Sequence, residues 1–160
     1  MQIQKEIQEK QEKLSIAALI NKFKEYAKEF KKLLNELSKP SYTYTYDFKN
    51  KKFPLPENTI ETQINSKIEQ IYNLAKTHGI TIASISIKEK EITIKGKIEP
   101  GFVAKVAFYF LSHSDEKKEL EQFLRNLGYV LDSSYNPLSG KFEAFLKRDK
   151  LDLVPKKREE

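Results

Sequence analysis

Apolar residues recur along this chain in two rhythms, one helical and one extended. The positions Ile16, Ile20, Phe23, Ala27, Phe30, Leu34 and Leu37 follow steps of four and three, the spacing of a heptad seam along one helix face. Residues 1–39 contain no Gly or Pro and are rich in Lys, Glu, Gln, Leu and Ile. A long helix over 1–40 is therefore predicted, closed by Pro40 because the residue before a proline avoids helical angles. Ile3, Ile7 and Leu14 form an earlier stripe in another phase, which predicts a stutter or bend near Ala17-Ala18-Leu19. Such a stripe either pairs with a second helix as a coiled coil or packs on its own domain. Roughly 20 helical residues span a small domain, so part of this helix is expected to project and to pair through the seam.

Residues 41–57 change rhythm. Tyr42, Tyr44, Tyr46 and Phe48 alternate with Thr43, Thr45 and Asp47, which predicts a short strand with its aromatics on one face. Pro54 and Pro56 bar a central strand immediately afterwards, so this stretch reads as a linker or an edge strand.

Residues 58–150 carry one layout twice. Asn58 precedes Ile60, Ile64, Ile68, Ile71 and Ala75, an amphipathic helix with Asn58 as N-cap, Glu61 placed for a capping box and Gly79 as the stop. Ile80, Ile82, Ile85 and Ile87, then Ile92, Ile94 and Ile98, flank the charged turn 88–91 and read as a hairpin. Pro100 opens a second helical region in which Phe102, Val103, Val106, Phe108, Phe110 and Leu111 are apolar around much of the circumference, so burial is expected. Ser112 to Asp115 interrupts it. Leu120, Phe123, Leu124 and Leu127 continue it to Gly128, and strands are predicted from Tyr129 and over Lys141 to Lys147. The predicted fold class is α+β: a long N-terminal coiled-coil helix, then a circularly permuted ferredoxin-like domain (α-β-β-α-β-β) with a four-stranded antiparallel sheet. Its core is expected to hold Ile64, Ile68, Ile71, Ile82, Ile85, Ile94, Val106, Phe110, Phe123 and Leu127. Residues 151–160 read as a charged tail.

Composition narrows the function classes. Hydrophobic content is 39% and charged content 32%, which suits a solvated helix beside a compact domain. The net charge of +6 permits attraction to phosphate, but the acidic and basic residues interleave as on an ion-paired surface. There are no cysteines, so disulfides and thiolate chemistry are excluded. No apolar run reaches the ~18 residues of a membrane span, and no secretory signal follows Met1.

Candidate chemistry is sparse. His78 and His113 stand at predicted helix ends, where a cation suits the dipole. Neither has metal-ligand company. No phosphate loop, nucleophile elbow or isolated carboxylate pair is present, so no catalytic, cofactor-binding or metal-ligating residue is assigned and an enzyme is not expected. Nucleic acid is not an expected partner either: the sequence lacks the aromatic RNA-binding signature, leaving Tyr42, Tyr44, Tyr46 and Tyr135 as the sole stacking platform.

Four stretches together carry a family resemblance. They are the leading heptads; FPLPENTIETQINSKIEQIYNLAKTHGITIASISI; EITIKGKIEPGFVAKVAFYFLS; and LGYVLDSSYNPLSGKFEAFLK. In this organisation the chain resembles the inner-membrane alignment proteins of type IV pili, the PilO and PilN proteins, and the similar type II secretion protein GspM. The resemblance implies a non-catalytic scaffold at the periplasmic face of the inner membrane, with a membrane anchor ahead of the chain. It implies protein partners: a homodimer, or a heterodimer with a related pilus-platform protein. The seam residues Ile16, Ile20, Phe23, Ala27, Phe30, Leu34 and Leu37 are the interface expected. A basic nucleic-acid-binding module and a cytoplasmic coiled-coil adaptor are the other readings.

Overall fold

The computed structural model describes residues 13–37, 39 and 41–148. These form helices α1 (Ile16–Asn35), α2 (Thr59–Thr77), α3 (Pro100–Ser112) and α4 (Ser114–Asn126). The strands are β1 (Thr43–Asp47), β2 (Ile80–Lys88), β3 (Glu91–Ile98), β4 (Tyr129–Tyr135) and β5 (Lys141–Arg148). The protein is α+β, with an antiparallel sheet of five strands in the order β1-β2-β3-β5-β4. No described helix is long and apolar enough to cross a membrane.

Local chemistry sets most element ends. Asn58 Oδ1 accepts from Glu61 N–H at 2.8 Å and starts α2, as a side-chain N-cap should. The reciprocal arm differs from the expected box: Glu61 Oε1 accepts from Glu57 N–H at 2.8 Å, one residue before the cap. Gly79 (φ +86°) and Gly128 (φ +91°) follow α2 and α4 in the left-handed conformation, which glycine adopts without a Cβ penalty. Ser15 Oγ accepts from Ala18 N–H at 3.2 Å. The phase break anticipated as a stutter is thus a helix start, because a serine before an apolar run caps more readily than it continues a helix. Ile3, Ile7 and Pro40 lie outside the described residues.

The sheet has one apolar face. Ile82, Ile85 and Ile87 of β2 are buried, although Ile82 and Ile85 stand three apart. A bulge between Ile82 and Ser84 adds the extra residue, and so keeps both side chains toward the helices. Gly96 pairs with Ile82 there, and a Cβ on it would lie 2.3 Å from Thr81 O. Only glycine fits so close a backbone approach.

Two expectations are corrected. The sheet has five strands instead of four, because β1 pairs with β2 along its whole length and buries Tyr44 and Tyr46. That second hydrogen-bonded edge and two phenol rings under the helices outweigh the cost of ordering a linker. The aromatic platform proposed for base stacking loses its two central members for the same reason. The second correction concerns α3. This most apolar helix has no buried residue, and Phe108 and Leu111 are 71% and 79% exposed. Val106, Phe110 and Phe123, expected inside, are half-buried. The cause is α1, which lies between α2 and the α3–α4 pair and contacts all three. It takes the place over the sheet that α3 would otherwise fill.

Candidate interaction site

The seam of α1 divides in two. Phe30 and Leu34 are buried in the domain's own core, and Leu37 packs against it. Ile16, Ile20, Phe23 and Ala27 are half-buried and form one wall of an apolar chamber of about 330 Å³. Polar contacts tie α1 along its length. Lys67 Nζ pairs with Glu29 from α2, and Lys31 Nζ donates to the Leu127 carbonyl at the end of α4. Lys24 lies 5.6 Å from the Phe123 ring centroid. The described helix therefore rests on its own domain, with Phe30 and Leu34 of the seam committed to the core and Ile16, Ile20, Phe23 and Ala27 lining the apolar chamber.

The chamber is lined further by Ile71 of α2, Ile85 and Ile94 of the sheet, and Val106 and Phe110 of α3, and it is open to solvent on one side. His78 stands at one end of it, 7% exposed. Its Nε2 accepts from Leu14 N–H at 2.9 Å, so that nitrogen carries no proton. Nδ1 carries it and donates to Leu74 O at 2.9 Å. His78 is therefore a neutral bridge and not the helix-end cation expected, because a backbone N–H demands an acceptor from it. Beyond His78 the chamber meets a second concavity of about 380 Å³, with Ile16, His78 and Phe102 common to both. Lys13, Lys105 and Glu99 line that outer space.

Outside the chamber, α3 presents Phe108 and Leu111, three apart and so on one side of the helix. The turn into α4 is braced: Tyr109 Oη donates to Glu116, and His113 stacks on Tyr109 at 4.1 Å with Nδ1 donating to Tyr109 O. Sequence reasoning read this helix as buried. The signal for an interaction surface was present in the single charge, Lys105, between Pro100 and Ser112, but burial within the domain leaves the same signal.

A third feature lies at one end of the sheet. Phe48, Tyr72, Tyr135 and Phe142 flank an open groove of about 760 Å³ over Gly96, with Lys49, Lys97 and Lys141 among its lining. Phe48 stacks on Tyr72 at 4.2 Å. Lys97 and Lys141 stand directly opposite across β3 and β5, a like-charge pairing that costs stability.

The buried carboxylate Glu61 is 3% exposed. It accepts from Tyr44 Oη at 2.6 Å, Lys39 Nζ at 2.9 Å and Glu57 N–H at 2.8 Å. Those donors, Tyr44 first, hold its pKa down at about 2. Burial, then the Glu61 contact, pushes the Tyr44 phenol up to about 12. With its acceptors engaged, Glu61 serves as a structural anion joining β1, α2 and residue 39. Among the described residues no group of three or more His, Cys, Asp or Glu side chains could hold a metal ion. No family model, curated protein or solved structure matches the chain.

Proposed function

We propose that this chain is a non-catalytic assembly module whose contact surface is the outer face of α3. One observation carries the reading: the most apolar helix leaves Phe108 and Leu111 exposed at 71% and 79%. Burying one such side chain contributes about 1.5–3 kcal/mol, and large apolar anchors of this kind dominate interface energetics. The occupant is a second copy or a related protein presenting an equivalent helix.

The pilus and secretion platform proteins remain the family reading proposed, with the periplasmic face of the inner membrane as its place. Within the α-β-β-α-β-β part the strand order β2-β3-β5-β4 supports a permuted ferredoxin-like plait, since moving the first strand of that plait to its end generates this order. The leading helix supports it as well, although α1 lies on the domain and β1 adds a strand. The second reading, nucleic-acid binding, is favoured by the aromatic groove with Lys49, Lys97 and Lys141. Aromatic faces with cations suit single strands.

Sedimentation of the chain tests the first reading. A concentration-dependent dimer is expected, abolished by Phe108→Glu together with Leu111→Glu while the circular dichroism spectrum is retained. A chain that stays monomeric at high concentration, and is unaltered by both substitutions, contradicts it.

A further inference from the structure

The inner side of α3 faces a different kind of space from its outer side. We infer that the chamber between α1, α2, α3 and the sheet is a binding site for a single hydrocarbon chain with an anionic head group, of the medium-chain fatty acid class. Its volume of about 330 Å³ is roughly twice that of an apolar cavity of ~150 Å³ that stays dry and takes up benzene. The chamber is open to solvent on one side, so its apolar lining faces water, and a hydrocarbon chain laid in it would cover that surface. Its lining is aliphatic and aromatic apart from Tyr26 and His78, and both His78 ring nitrogens are already engaged, so a hydrocarbon suits it better than a water cluster.

The head group has a place as well. At the His78 end the chamber meets the outer concavity, where Lys13 and Lys105 make no ion pair among the described residues. The N-terminus of α3 opens there too, with Pro100 at its first turn and no side-chain cap. Lys13 and Lys105 against the single carboxylate of Glu99 leave a net positive charge beside the helix start, which favours an anion. Glu99, the carboxylate of that concavity, lies against Gly79. His78 has both ring nitrogens committed to Leu14 and Leu74 and acts as the neutral sill between the apolar and charged parts. The wall that admits the chain is α3, the helix with no buried residue of its own. The space at its start is open, since a Cβ on Gly101 would meet nothing within 4 Å.

Calorimetric titration with octanoate, decanoate and dodecanoate below their micelle concentrations tests this on the full chain. One site per chain is expected, with affinity rising about fourfold per added methylene and then levelling off as the chamber fills. Dodecyltrimethylammonium should bind more weakly than dodecanoate, and Lys105→Glu should narrow that difference. Ala27→Phe on α1 and Ala75→Phe on α2, both in the lining, should each weaken dodecanoate by about tenfold or more without lowering the melting temperature. Four outcomes overturn the inference: no saturable binding, affinity that climbs with chain length without a plateau, equal binding of the cationic amphiphile, or folded Phe variants that bind normally. A large gain in affinity on removing residues 1–12 also overturns it, because the chamber would then belong to that segment.

Discussion

Tyr44 Oη donates to the Glu61 carboxylate across 2.6 Å, joining the edge strand β1 to the first turn of α2 inside the protein. Seventeen residues separate the pair, and the bond fixes where the chain after α1 must run. Phenol and carboxylate are both buried, so neither has water as an alternative partner.

The acid limb of stability should reflect this bond. The Glu61 pKa is depressed from 4.5 to about 2, so the folded state holds the ionised form more strongly than the unfolded chain does. Its contribution is full above about pH 4.5 and is lost as pH falls toward 2. Tyr44→Phe should cost about 1–3 kcal/mol at neutral pH and make the acid limb shallower, as read by urea melts from pH 2 to 7. An acid limb of unchanged steepness would count against the assignment. At the alkaline end the raised Tyr44 pKa acts in the other direction, with stability falling from pH 10 toward about 12.

Gly96→Ala should destabilise far more than an ordinary strand substitution. Its Cβ would lie 2.3 Å from Thr81 O and 2.9 Å from Ile82 Cα, both backbone atoms that cannot turn aside. A loss of about 1–3 kcal/mol or more is expected, read as a lower denaturation midpoint. A neutral result would mean that the bulge at Ile82 is not rigid.

Leu14 N–H relies on His78 Nε2. His78→Phe should speed hydrogen exchange at the Leu14 amide and cost about 1–3 kcal/mol through the unpaired backbone groups. His78→Asn at the same position tests whether any acceptor suffices. Exchange at Leu14 that is the same in all three proteins would show that the bond does not protect it.

Truncations should separate core from contact surface. Ile64→Ala should cost about 2–5 kcal/mol, since Ile64 is 1% exposed. Phe108→Ala should leave the melting temperature of the dilute protein within about 1–2 °C, because exposed positions change stability by less than about 0.5 kcal/mol. Phe30→Ala should destabilise like Ile64→Ala, because that seam residue is part of the domain core. A mild Phe30→Ala would return the seam to a role between chains.

Residue order by itself determined what depends on neighbours a few positions apart. The spacing of Ile60 to Ala75, the Asn58 cap, the Gly79 and Gly128 stops and the isoleucine hairpin all lie within one or two turns of chain. Helix periodicity, capping and left-handed glycine geometry are local physics. The stripe from Ile16 to Leu37 was equally legible as an apolar face. Its periodicity could not say what covers it, since a partner helix and the chain's own sheet bury such a face alike. Tertiary structure decided that by seating α1 between α2 and the α3–α4 pair, and the same choice left Phe108 and Leu111 in solvent. It also drew Tyr44 and Tyr46 into the core, because β1 found the free edge of β2 and Tyr44 found the carboxylate of Glu61. The bulge at Ile82, the neutral state of His78 and the apolar chamber likewise depend on groups brought together from far apart in the chain.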